Sequence, residues 1–103
     1  MSQRIIAIDQ STSSTKALLF DDQCRLLART NVDHQQYYPQ TGWVEHDAEE
    51  IYRNMVEAIH QLVGDEAKTG QHTYSIAITN QRETAVVWNK TTGHPIANAV
   101  VWQ

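Results

Sequence analysis

Within the first 32 residues, three short apolar runs follow one another with connections too short to hold a helix. Arg4–Asp9 (R-I-I-A-I-D), Lys16–Phe20 and Cys24–Val32 are separated only by residues 10–15 and 21–23. The first is β-branched and apolar, as a buried strand is. Asp21-Asp22-Gln23 has the chemistry of a tight turn, because aspartate tolerates turn geometry and caps it locally. Strands joined so closely pair antiparallel, so the opening is expected to be a meander. Cys24 is expected to be a half-buried hydrophobe in the third strand. It is the only cysteine, so no internal disulfide forms and a reducing compartment is expected.

A loop over 33–46 follows, marked by Pro39 and Gly42. A helix is then expected. Asp47 caps it and Glu50, three residues on, completes a capping box. Ile51, Met55, Ile59 and Leu62 recur at helical spacing, widened by Val56 and Val63, with Glu49, Arg53, Glu57 and Gln61 opposite. Gly64 or Gly70 ends it. Tyr74–Thr79 reads as another strand, then a polar cluster, 80–84. Ala85–Asn89, a turn over Lys90–Pro95, and Ile96–Trp102 read as strand, turn, strand. The order β-β-β-α-β implies an α/β fold with a mixed sheet, and differs from an alternating βαβ pattern. The chain stops one residue after an apolar run that ends in Trp102, which is expected of a truncated chain, since natural termini are seldom apolar strands.

With 103 residues, 41% hydrophobic and 19% charged, the chain is an ordinary globular composition with one core, burying about 60–65% of its unfolded surface. The formal charge of −4 with scattered basic residues argues against nucleic acid or an anionic membrane as partner. No run approaches the ~20 apolar residues of a membrane span, and a cytoplasmic protein is expected.

Two clusters carry chemistry. Asp9 ends the first strand, and five hydroxyl residues in a row, Ser11 to Thr15, lead to Lys16. Hydroxyls and successive backbone N–H groups in a bend make an anion-binding concavity, and an adjacent Asp can hold Mg²⁺ or its waters. The plainer alternative is a solvated Ser/Thr turn capped by Asp9. The second cluster is Asn80-Gln81-Arg82-Glu83-Thr84. Arg82 and Glu83 point to opposite faces of a regular strand, so a bulge or bend is needed to bring both to one pocket. There they would donate to and accept from substrate hydroxyls, with Trp102 as an apolar wall. The plainer alternative is a surface ion pair. His46, between Glu45 and Asp47, is read as leading into the helix cap, with Trp43 packing nearby, and not as a metal ligand. The remaining histidines, His34, His60, His72 and His94, show no ligand pattern.

Three blocks carry a resemblance over essentially all 103 residues: Ile6–Lys16, Tyr38–Asp47, and Ile78–Thr84 running on to Ala99–Gln103. They resemble the glycerol-phosphorylating branch of the FGGY carbohydrate-kinase family. Xylulose-phosphorylating members typically carry Met-His where this chain has Arg82-Glu83. The resemblance implies the two-domain fold shared with actin and hexokinase (ribonuclease H-like). Residues 1–103 would be the N-terminal portion of its first, substrate- and phosphate-binding domain. It implies ATP-dependent phosphorylation of a primary hydroxyl of glycerol, with ATP and Mg²⁺ as cofactors and assembly of like subunits compatible with it. Asp9 would organise Mg²⁺ and phosphate; Thr12, Ser13, Ser14 and Lys16 would contact the nucleotide phosphates; Arg82, Glu83 and Trp102 would bind the polyol. Ser11 stands where the family usually has Gly, and Lys16 where it often has Arg. The general base lies downstream in the family, so this chain alone is expected to be inactive. Two other readings stand beside this one: a kinase for another small polyol or sugar, and a non-catalytic actin-like nucleotide-binding module.

Overall fold

The computed structural model describes residues 2–81 and 84–101. Strands β1 (Ser2–Gln10), β2 (Ser14–Asp21) and β3 (Leu26–Asp33) form the expected antiparallel meander. The short strands β4 (Gln36–Tyr37) and β5 (Glu45–His46) follow, then helix α1 (Ala48–Ala67), β6 (His72–Thr79) and β7 (Ala99–Val100). β6 lies parallel to β1, giving the mixed order β3-β2-β1-β6. A second, smaller sheet has the order β4-β5-β7.

Strand alternation decides the core. Ile6 and Ile8 of β1 face the same side as their partners Leu19 and Ala17 of β2, and all four are buried. Helix α1 closes over this face, lying mainly across β2 and β3 and adding Ala58, Leu62 and Val63. Ala58 has no exposed surface: its single methyl lets the helix backbone come close to the sheet. Met55 and Ile59 pack at the margin as their spacing predicts. At the far end of α1, Glu66 accepts from Arg4 at 3.3 Å and from the Tyr74 hydroxyl at 2.6 Å, which pins the helix to β1 and β6.

Several local expectations change. The Asp47 carboxylate accepts from the Glu49 amide at 3.0 Å and so caps the helix, but no capping box forms. Glu50 instead reaches the Gln35 amide at 3.3 Å. The helix runs through Gly64 and ends before Gly70, whose φ of +68° suits the reversal. Cys24 is exposed at φ +62° in the turn before β3, and not within a strand. Asp21 carries that turn, accepting from the Gln23 and Arg25 amides and from the Arg25 guanidinium at 2.7 Å. Ala85–Asn89 forms no strand, and of the expected Ile96–Trp102 only β7 (Ala99–Val100) does, Trp102 lying outside the described residues; isolated bridges join Ala85 to Val100 and Trp88 to Pro95. Trp43 is 53% exposed and does not pack as expected.

Candidate active site

The strand pairing brings the two polar clusters to one end of the sheet. Parallel neighbours finish at the same edge, so the segments leaving β1 and β6 emerge side by side, as in open α/β sheets generally. Asp9 pairs in register with Thr79, and the Thr79 hydroxyl donates to Asp9 Oδ1 at 3.1 Å. On the other side Asp9 is the register partner of Lys16. Both are exposed, on the sheet face away from α1.

The hydroxyl-rich connection is shorter than its polar composition suggests, because Gln10 and Thr15 still pair. Ser11 closes the bend, its amide and hydroxyl both donating to the Ser14 carbonyl at 3.0 and 2.9 Å. Thr12 and Ser13 form the tip, and the His34 amide fixes it by donating to the Ser13 carbonyl at 2.9 Å. Ser14 and Thr15 are buried, and Ser13 is exposed. Among the expected phosphate contacts, Thr12, Ser13 and Lys16 therefore have surface to present, whereas Ser14 would act through its backbone. Arg82, Glu83 and Trp102, the expected polyol contacts, lie outside the described residues.

Beneath the bend is a buried polar network that the sequence does not announce. The Gln10 side-chain amide donates to the Ser11 carbonyl and to Gln81 Oε1, each at 3.1 Å. The Gln81 amide nitrogen stands 2.9 Å from Thr84 Oγ1 and 3.0 Å from His46 Nδ1. The Asn54 amide nitrogen likewise serves the Asp33 carbonyl at 3.1 Å and His34 Nδ1 at 3.0 Å. An amide nitrogen has two hydrogens, so both histidines accept at Nδ1 and carry their proton on Nε2. His34 Nε2 then donates to Thr15 Oγ1 at 3.2 Å, whereas His46 Nε2 is buried without a partner among the described residues. The two rings lie 6.0 Å apart. Burial first, and for His34 also the neighbouring His46, hold both pKa values below the ordinary histidine range. Both rings are therefore neutral at pH 7.

Among the described residues no cluster of three or more His, Cys, Asp or Glu side chains is placed to hold a metal. A Mg²⁺ bound through substrate phosphates needs only one or two protein carboxylates. Asp9, exposed at the sheet end with Thr79 as its partner, is of the right chemistry for it.

Residues 4–103 match the N-terminal domain of the FGGY family of carbohydrate kinases. The chain is 50% identical to glycerol kinase 1 of Thermotoga maritima over 99 residues, and 48% identical to the glycerol kinase of Pseudarthrobacter chlorophenolicus over 103. These alignments take in 96% and 100% of the chain and 20% of each relative, so the chain spans about a fifth of their length. The fold superposes on glycerol kinase of Plasmodium falciparum, solved with ADP, with a TM-score of 0.82 and 37% identity, covering 98% of this chain and 20% of that one. The xylulose kinase of Rhodospirillum rubrum shares the fold with a TM-score of 0.84 at 19% identity, over 95% of this chain and 20% of that one. The meander, the helix and the parallel return strand are thus the opening of an actin/hexokinase-like kinase domain, and this chain belongs to the FGGY family of carbohydrate kinases.

Proposed function

We propose that the intact protein transfers the γ-phosphoryl group of ATP to a primary hydroxyl of glycerol, giving glycerol 3-phosphate and ADP. In this reading residues 1–103 are the N-terminal portion of the first domain of a two-domain cytoplasmic kinase. The observation that supports it is the side-by-side exit of the Asp9 bend and of Asn80-Gln81 from parallel neighbours, joined by Thr79–Asp9 and Gln10–Gln81 bonds. A phosphate-binding bend and a polyol-binding corner have to share one hollow if a hydroxyl is to reach phosphorus. The relatives that match at 45–50% are glycerol kinases, which favours glycerol over a sugar.

The roles follow from side-chain chemistry. Thr12 and Ser13 with the backbone of the bend would receive the phosphates, and Lys16 would add charge beside them. Mg²⁺, when bound at Asp9, supplies neutralisation of the phosphate charge. Arg82 and Glu83 would donate to and accept from the glycerol hydroxyls, orienting one toward phosphorus, with Trp102 against the carbon chain. As the hydroxyl oxygen bonds to the γ-phosphorus, the bond to the ADP oxygen breaks. The hydroxyl proton passes to a base that this segment of the chain does not supply.

In the full-length protein, Arg82→Ala is expected to raise KM for glycerol and lower kcat/KM roughly 10- to 100-fold, the value of a charge-assisted hydrogen bond. Asp9→Asn is expected to depress kcat at saturating substrate. Steady-state kinetics with glycerol and ATP decide both. Unchanged kcat/KM in Arg82→Ala removes that residue from the pocket, and ATP binding without turnover in the wild type favours the non-catalytic module.

A further inference from the structure

The Arg82-Glu83 pair is bracketed by two anchored residues. Gln81 before it is 7% exposed and makes three side-chain hydrogen bonds, with Gln10, Thr84 and His46. Thr84 after it receives one of those bonds. The partner on the other side, Gln10, directly follows Asp9, and its same nitrogen holds the Ser11 carbonyl of the bend. His46, with no exposed surface, presents an acceptor to Gln81 from β5, which is itself paired to β7. Gln81 and His46 are buried, whereas Gln10 and Thr84 are partly buried.

We propose that Gln81 is a positioning residue, which through Gln10 and His46 holds the end of β6 in register with the Asp9 bend. The inference rests on the glycerol kinase reading above and goes beyond it by assigning the coupling of the two half-sites to a buried side-chain bridge. In this reading Gln81 touches neither substrate; it ties the end of β6 to the end of β1.

Gln81→Met keeps the length of the side chain and removes its three hydrogen bonds. In the full-length protein it is expected to raise KM for glycerol about tenfold while changing kcat by less than about threefold, since positioning of bound polyol is lost and the phosphate chemistry is retained. Gln10→Met is expected to act in the same direction. The double variant is expected to be within about twofold of Gln81→Met, because both single changes cut the same bridge. His46→Asn retains an acceptor where Nδ1 stands and is expected to stay within about threefold of wild type, whereas His46→Leu follows Gln81→Met. Independently of activity, hydrogen exchange at the Ser11–Ser14 amides is expected to quicken in Gln81→Met. An unchanged KM for glycerol, a double variant equal to the product of the singles, equal losses in His46→Asn and His46→Leu, or unaltered exchange in the bend would each overturn the proposal. Wild-type protein that fails to consume ATP with glycerol, yet shows the exchange effect, would strike down the kinase reading and leave the coupling standing. Should Gln81→Met fail to fold, Gln10→Met, whose side chain is only partly buried, carries the same measurements.

Discussion

His46 is fully buried and neutral, and its Nδ1 faces the hydrogens of an amide nitrogen. A second proton would turn that acceptor into a donor pointed at a donor, and the same holds at His34 against Asn54. Glu50 of α1 and Asp33 at the end of β3 partly offset the cost for His34, and Glu50 does so for His46. Both folded pKa values nevertheless lie below the unfolded value of about 6.5. Between the two values the unfolded chain binds more protons, so stability rises with pH there and is lost as pH falls below about 6.5. Thermal unfolding followed from pH 7.5 to 5.5 is expected to show a falling midpoint, with a shallower slope in His46→Asn. Equal slopes would mean that acid acts elsewhere. None of this was legible in the sequence. His34 and His46 are separated by a loop with Pro39 and Gly42, and Gln10 and Gln81 by 71 positions; no periodicity links such residues, and only the parallel pairing of β1 with β6 makes them neighbours. Asp9 and its hydroxyl bend, by contrast, were readable because a carboxylate and five hydroxyls stand together in the chain itself.

Elements were legible to the extent that their signals are local. The three opening strands and α1 follow from apolar runs, turn residues and helical spacing; β1 and β2 extend the expected bounds by one or two residues at each end, whereas β3 starts two residues late, at Leu26. The segment over 85–101 misled because Ala85–Val87 and Ile96–Val101 have the composition of strands. Only Ala99–Val100 forms a strand, paired to β5; the rest is joined through single bridges, and Val86, Val87 and Ile96 remain exposed. β-propensity reports fit to a half-buried surface, and here the surface that would bury them is not among the described residues. The helix start shows the same lesson at smaller range. Asp47 and Glu50 have capping-box spacing, yet Glu50 turns to the Gln35 amide, leaving Asp47 to hold the first turn through the Glu49 amide. Asp47→Ala is therefore expected to cost about 1 kcal/mol of local helix stability. It would be read as faster hydrogen exchange over the first turn of α1 with little change at Leu62 and Val63. Equal loosening along the helix would mean that Asp47 does more than cap.

At the scale of the whole molecule, the uncovered surface of the four-stranded sheet is the dominant fact. Its radius of gyration is 15.8 Å, against about 13 Å for a compact chain of this length. β6 is an edge strand paired on one side only, to β1, among the described residues. Parallel strands are ordinarily covered on both faces, but Ile76 and Ile78 are 55% and 57% exposed. By strand alternation both lie on the α1 side of the sheet, where the helix covers β2 and β3 and meets β6 at Tyr74 but leaves Ile76 and Ile78 bare. An apolar edge with unpaired backbone groups is a template for a further strand, from the same chain or from another copy. Since the chain spans about a fifth of the relatives it matches, residues 1–103 produced alone are expected to self-associate with rising concentration and to consume no ATP in the presence of glycerol. Analytical ultracentrifugation reads the first and a coupled ADP assay the second. Ile76→Lys, which sets a charge on the bare face without touching the Ile6, Ile8 and Leu62 core, is expected to lower the association. A chain that stays monomeric at high concentration would show that this edge is protected by its own twist or side chains. Glycerol-dependent ADP release by residues 1–103 alone would show that the catalytic base lies within them.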